Sequence, residues 1–281
     1  MQLQTAQRRN AKIRLGLQGP SGSGKTMSAL LVAFGITQDW SKISVIDTEN
    51  RSSELYSHLG PYQVLQLKEP YTPERYIEAL QVCEAAEMQV VIIDSTSHEW
   101  NGPGGILEEH GNMAGNSFTN WQKLTPRHAK FINAILKSSC HVFCTIRSKT
   151  EYILFEKNGK QVPEKVGLTG IQREGLDYEL TLVFEMDIKH HAVATKDRTG
   201  IFMDKPEFTP NEATGQLILN WCQSGISPDA VKEMIRTSGS TKTLREIFNT
   251  YPEFQILLNS EFTARKNEIE PKAKSTVSVK S

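Results

Sequence analysis

Residues Gly19, Pro20, Ser21, Gly22, Ser23, Gly24, Lys25 and Thr26 spell GxxxxGK[ST] between an alternating apolar segment, Ile13 to Leu17, and a helix-like run, Met27 to Phe34. Strand, glycine-rich loop and helix in that order are the setting a phosphate loop requires. Glycines let backbone N–H groups close round a polyphosphate, and the N-terminus of the next helix faces it. Lys25 neutralises charge on such an anion, and Thr26 offers a hydroxyl to Mg²⁺. A chain organised round this stretch is expected to be α/β, with the loop at the C-terminal end of a strand in a mostly parallel sheet.

A second signature agrees. Val90-Val-Ile-Ile-Asp94 reads as a fully buried strand ending in a carboxylate. Behind a phosphate loop, Asp94 would hold the Mg²⁺ shell, directly or through water. Ser95 follows it, where many P-loop motors carry the acid that activates water, so that role passes to Glu49, with Glu99 in reserve. Glu49 closes Ile43-Ser-Val-Ile-Asp47-Thr48-Glu49, a short strand whose acidic end stands where open sheets bind ligands. An acidic strand end or a helix cap is the plainer reading of the same residues.

Tyr62 to Leu67 reads as a strand, Pro73 to Ala86 as a helix begun by proline, and Asn120 to Lys137 as a further helix. Between them, Asn101 to Ser117 is glycine-rich and is expected to be an irregular, functional loop. His141 to Ile146 is the next buried strand. It ends at Arg147, level with the γ-phosphate of a bound nucleotide, which makes Arg147 a sensor candidate. Glu151 to Phe155, the turn signal Asn158-Gly159 and Gln161 to Glu164 then form a projecting β-hairpin.

Lys plus Arg and Asp plus Glu each number 32, so no global field draws nucleic acid, and any such site must be local. The hairpin region supplies one. From Ser148 to Arg173, the basic residues Lys149, Lys157, Lys160, Lys165 and Arg173 face three acids, with Tyr152 and Phe155 interleaved. Cations for the backbone and rings for the bases are what single-strand binding needs, whereas a solvated hairpin needs neither.

Leu180 to Ile188 alternates as a half-buried strand, and Ala192 to Lys196 returns beside it as an antiparallel extension of the sheet. His190 and His191 fall at their turn and read as solvent-facing. A helix over Asn211 to Trp221 closes a core of residues 1–223. After a linker, Ser224 to Pro228, the amphipathic stretches Asp229 to Arg236, Thr241 to Phe248 and Ser260 to Glu270 make a small helical part, residues 224–270. Residues 271–281, rich in Lys and Ser, are expected to be a disordered tail. Cys83, Cys140, Cys144 and Cys222 read as free thiols, since the nearest pair, four apart on a strand, is separated by roughly 13 Å. With no apolar leader in Met1 to Ala11 and no membrane-length run, the expectation is a cytoplasmic protein.

The order of these parts resembles the RecA core. Tyr56, seven residues past Glu49, matches where RecA-type proteins put a tyrosine beside adenine, and Lys196-Asp-Arg198 resembles their paired basic fingers, which act across a subunit boundary. With Gly19 to Thr26, Ile46-Asp-Thr-Glu49 and Ile171-Gln-Arg-Glu-Gly-Leu-Asp-Tyr-Glu179, residues 12–223 are similar to phage-encoded RecA-core ATPases of the AAA class. Their better known members are the single-strand annealing proteins of the Sak-four group. The resemblance implies a phage or prophage recombination ATPase that uses ATP and Mg²⁺ and binds single-stranded DNA in the bacterial host's cytoplasm. It also implies a homo-oligomer, ring or filament, with a single-strand binding protein as a candidate partner. The long N-terminal polymerisation element of full recombinases is not seen before the first strand. A small-molecule P-loop kinase and a slow nucleotide switch are the rival readings.

Overall fold

Ile43–Asp47 and Val90–Asp94 carry apolar side chains in both directions, so both faces of these strands have to be covered. A computed structural model of the protein describes residues 11–157, 160–173, 175–223 and 228–270, with the backbone alone at 150–169 and 253. The Asn158-Gly159 turn, most of the Ser224 to Pro228 linker and the tail 271–281 lie outside the described residues.

Lys12–Trp221 forms one compact unit. Its elements are β1 (Arg14–Gly19), α1 (Lys25–Thr37), β2 (Ile43–Asp47), β3 (Gln63–Gln66), α2 (Pro73–Ala85), β4 (Val90–Asp94), α3 (Ser97–Asn101), α4 (Ile106–Asn112), α5 (Ser117–Lys137), β5 (His141–Lys157), β6 (Lys160–Gly170), α6 (Leu176–Glu179), β7 (Leu182–Met186), β8 (Ala192–Asp197) and α7 (Glu212–Gln223). The sheet runs β3-β2-β4-β5-β1-β7-β8, with β6 paired to β5 off that path. Every neighbour from β3 to β7 is parallel, and β8 and β6 are antiparallel to their partners.

The path steps from β1 to β2 in one direction and from β3 back to β4 in the other, so right-handed crossovers set α1 and α2 on opposite faces. On the α2 face, Tyr76, Leu80, Phe131 and Ile135 of α2 and α5 pack on Ile46, Val91, Ile93, Val142 and Cys144. The alternate strand residues Val45, Ile92 and Phe143 are equally buried beneath the other layer.

The structure departs from a purely local reading at four points. Arg14, the polar member of the alternating Ile13 to Leu17 segment, is buried because its guanidinium donates to the carbonyls of Cys140 (2.6 Å), Ser138 (2.6 Å) and Leu136 (3.0 Å) where α5 ends. A cation at a helix C-terminus also meets the negative end of its dipole. β8 is the antiparallel extension expected, while β7 itself is parallel to β1; with a strand on each side of it, Val183, on the polar side of the alternation, is 2% exposed. The glycine-rich stretch 101–117 contains α4. α5 starts earlier than its apolar pattern, because Asn116 accepts from the Phe118 N–H at 2.8 Å and caps it.

In the second unit, α8 (Pro228–Thr237), α9 (Thr241–Thr250) and α10 (Asn259–Ile269) gather Val231, Ile235, Leu244, Ile247, Tyr251 and Phe262 into a core of their own. Among the described residues no helix is long and apolar enough to cross a membrane. The four cysteines are free.

In the first unit α1 and α7 cross glycine on glycine: a Cβ on Gly35 would strike the Glu212 carbonyl and come within 2.9 Å of the Gly215 Cα. Gly35→Ala is expected to destabilise by about 1–3 kcal/mol, because the obstacle is backbone and cannot rotate away. That exceeds the roughly 1 kcal/mol of helix propensity gained. The check is the denaturant midpoint, which should fall at unchanged slope.

Candidate nucleotide-binding site

The loop after β1 turns through Gly22 at φ +81° and Gly24 at φ +83°, the left-handed region that favours glycine. Gly19 has no room for a side chain either, since a Cβ there would lie 2.7 Å from the Met186 carbonyl. Lys25 opens α1 and folds back over the loop, where Nζ donates to the carbonyls of Gly19 (2.9 Å) and Pro20 (2.8 Å). Burial lowers its pKa, against the pull of Asp94 and Glu49. The Ser23 hydroxyl is fully buried inside the loop and has no hydrogen-bond partner among the described residues.

One residue further, Thr26 donates its hydroxyl to Asp94 Oδ2 at 2.7 Å, while Thr145 of β5 donates to Oδ1 at 2.5 Å. Asp94, 3% exposed, ends β4 through a cis peptide to Ser95. Burial pushes its carboxyl up, and the two hydroxyls pull the other way. A carboxylate touching the loop's hydroxyl suits Mg²⁺, which takes one or two protein oxygens and completes its octahedron with phosphate and water. Thr26 and Asp94 therefore stand together.

Glu49 is aimed by a residue to which the sequence analysis gave no role. Asp47 is buried and accepts from the N–H groups of Glu49 (2.7 Å), Arg51 (3.3 Å) and Ser53 (2.9 Å), and from the Ser53 hydroxyl (2.5 Å). These bonds wind the chain after β2 into a tight turn. They leave the Glu49 carboxylate in a two-pronged ion pair with Arg147, whose Nε donates to Oε1 at 2.7 Å and whose Nη2 meets Oε2. His98 brings Nε2 to 4.0 Å from Glu49 Oε1, with Nδ1 held 2.8 Å from the Thr48 hydroxyl. Burial raises the Glu49 pKa, but Arg147 and His98 outweigh it and the net shift is downward. Strand register sets Arg147 beside Gly19, level with the phosphate loop. Glu99, the reserve candidate, is 0% exposed and sealed against His128 Nδ1 at 3.0 Å, so it faces the interior.

Tyr56 is half-buried on a 3-10 turn, Ser52–Leu59, after Glu49. Lys196 and Arg198 lie near the far end of β8, in register with the start of β7 and hence of β1, away from this loop. Lys196 Nζ donates to the Asp177 carbonyl at 2.6 Å and to that of Tyr178, and Arg198 Nη2 to Tyr178 at 2.6 Å. Lys149 is exposed at the root of the hairpin, and Arg173 is half-buried beyond it. Tyr152, Lys157, Lys160 and Lys165 lie on β5 and β6, and their side chains are outside the described residues.

Besides Asp47, sequence reasoning passed over Thr145, His98 and His190. A strand-end Asp followed by Ser at i+6 is a weak Asx-turn signal for Asp47. His190, at φ +68°, lies over the phosphate loop, where a Cβ on Gly24 would come 2.9 Å from its Nδ1. Nothing local in the sequence marks that contact. His191 is half-buried rather than free, with Nδ1 3.4 Å from Glu207 and 3.9 Å from Asp187.

Arg147→Ala removes the larger of the influences that oppose burial of Glu49 and leaves His98 and a hydrogen bond with Ser95, so the Glu49 carboxyl should titrate at higher pH, read by its carboxyl-carbon shift in NMR. A depressed carboxyl contributes stability that is full above its unfolded-state pKa and is lost as pH falls through the folded value. The variant should therefore also lose part of the wild-type difference in stability between neutral and acid pH.

The family model described as "AAA domain" (AAA_24) matches residues 11–211. No curated protein matches the chain. The match spans well over half the sequence and takes in the phosphate loop, Glu49, Asp94 and Arg147, so the chain belongs to the AAA_24 family and is an AAA-type P-loop ATPase with a RecA-like core.

Proposed function

We propose that this ATPase binds single-stranded DNA and couples ATP hydrolysis to annealing or strand pairing, as a recombination factor of phage or prophage origin working in the host cytoplasm. The observation that carries this reading is the continuity of β5. The strand runs unbroken from His141 to Lys157, so Arg147, which grips Glu49, belongs to the same strand as the projecting hairpin. A polynucleotide drawn against the hairpin pulls on the residue that restrains the catalytic carboxylate.

In this mechanism Lys25 leaves the Gly19 and Pro20 carbonyls to meet the β- and γ-phosphates of ATP. Thr26 and Asp94 would hold Mg²⁺, which would supply charge neutralisation at the phosphate oxygens. Arg147 turns from Glu49 to the γ-phosphate, and the freed Glu49 orients the attacking water. Oligothymidylate should raise ATP turnover. Glu49→Gln should keep ATP bound and lose about 10²- to 10⁴-fold in rate. Turnover indifferent to DNA, or phosphate passed to a small metabolite, overturns the reading in favour of a nucleotide switch or a kinase.

Lys196 and Arg198 serve a neighbouring subunit's nucleotide, since they stand away from their own loop. Cations donated in this way are worth about 10³- to 10⁵-fold in rate. Mixing Glu49→Gln protein with Lys196→Ala/Arg198→Ala protein, each nearly inactive alone, should restore part of the DNA-stimulated turnover. No recovery between subunits that demonstrably exchange excludes action in trans.

A further inference from the structure

Two tryptophans flank α4 and the glycine-rich stretch, one at the end of α3 and one near the start of α5. Rings of this size bury most of their surface but are seldom fully enclosed. Trp100 and Trp121 each keep part of their surface open to solvent, with ring centroids 5.8 Å apart and planes tilted by 21°. They border a cleft of about 640 Å³ whose other lining residues, among the described ones, are Gln172 and Arg173, just beyond the hairpin's returning strand. That volume lies within the roughly 300–1,000 Å³ of small-ligand sites.

The walls are held in place. His110 of α4 stacks on Trp121 with centroids 4.2 Å apart, and His128 meets the Trp100 ring edge-on at 5.5 Å. The Gln172 amide donates to the Thr96 carbonyl at 3.0 Å and accepts from the Arg173 N–H at 2.8 Å. Arg173 lies over the Trp121 ring, 5.7 Å from its centroid, with Nη1 donating to the Thr125 hydroxyl at 3.1 Å. One hydrogen bond leaves the guanidinium with further donors to offer.

Flat aromatic faces, an amide and a cation define the complement: a planar heteroaromatic ring with hydrogen-bonding edges and an anion attached. We propose that this cleft seats one unpaired base of a single-stranded polynucleotide, stacked on Trp100 or Trp121, with the adjoining phosphate at Arg173. This rests on the single-strand reading above and deepens it. The base lies between the 101–117 stretch and the hairpin, whose residues 148–173 carry the local single-strand signal in the sequence.

The test is the affinity for fluorescently labelled oligothymidylate, measured by anisotropy across a salt series with a non-hydrolysable ATP analogue and Mg²⁺ present. Trp121→Ala and Trp100→Ala should each weaken binding by about 5- to 150-fold, the span for loss of one stacked base. Trp121→Phe, which keeps a ring, should retain most of the affinity. Arg173→Ala should flatten the logarithmic salt dependence by roughly 0.7, one phosphate contact on a single strand. Wild-type affinity and slope in both Trp121→Ala and Arg173→Ala overturn the cleft while leaving single-strand binding intact. A wild-type protein that binds no oligonucleotide overturns both readings. Competition by thymidine monophosphate at oligonucleotide-like affinity assigns the cleft to a free nucleotide and overturns the polynucleotide claim.

Discussion

A single buried carboxylate joins the phosphate loop's helix to the middle of the sheet. Asp94 accepts one hydroxyl from the first turn of α1 and another from β5, so the phosphate loop's helix and two central strands converge on one charge. An ion so enclosed is tolerated only when hydrogen-bonded. Either threonine alone leaves one oxygen short. The geometry of the loop is thus specified from the middle of the sheet as well as from its own glycines.

Round that charge the site is a balance of opposites. Lys25 and Arg147 face Asp94 and Glu49, and an evenly charged chain sets two cations beside two anions where an anionic substrate has to enter. The Glu49 and Arg147 side chains are 20% and 45% exposed, so their pairing is exchangeable rather than locked. A γ-phosphate offers Arg147 a more highly charged partner than a carboxylate does.

What was legible in the chain was what lies contiguous in it. Gly19 to Thr26 and Val90 to Asp94 declare themselves because loop, helix start and strand-end carboxylate are each local, and the parallel order follows from crossover length and handedness. Features built from distant residues were hidden. Arg14 reads as the polar member of an alternating strand until the end of α5, more than 120 residues away, supplies its carbonyls. Val183 follows a half-buried rhythm that a parallel neighbour and an outer strand overrule. Asp47 was read as part of an acidic strand end, although its turn is what aims Glu49. Trp100, Trp121 and Arg173 share a cleft that no spacing in the sequence announces.

The lysine that folds back on its own loop makes the loop's carbonyls competitors of any anion for its ammonium. An incoming anion does not meet a bare ammonium; it has to replace two carbonyl acceptors already in place, at 2.9 and 2.8 Å. That exchange favours a dense, multiply charged group over a dilute one, since only strong local charge outbids paired dipoles. Discrimination between a polyphosphate tail and a lone monovalent anion therefore begins at the loop, before any ribose or base is touched.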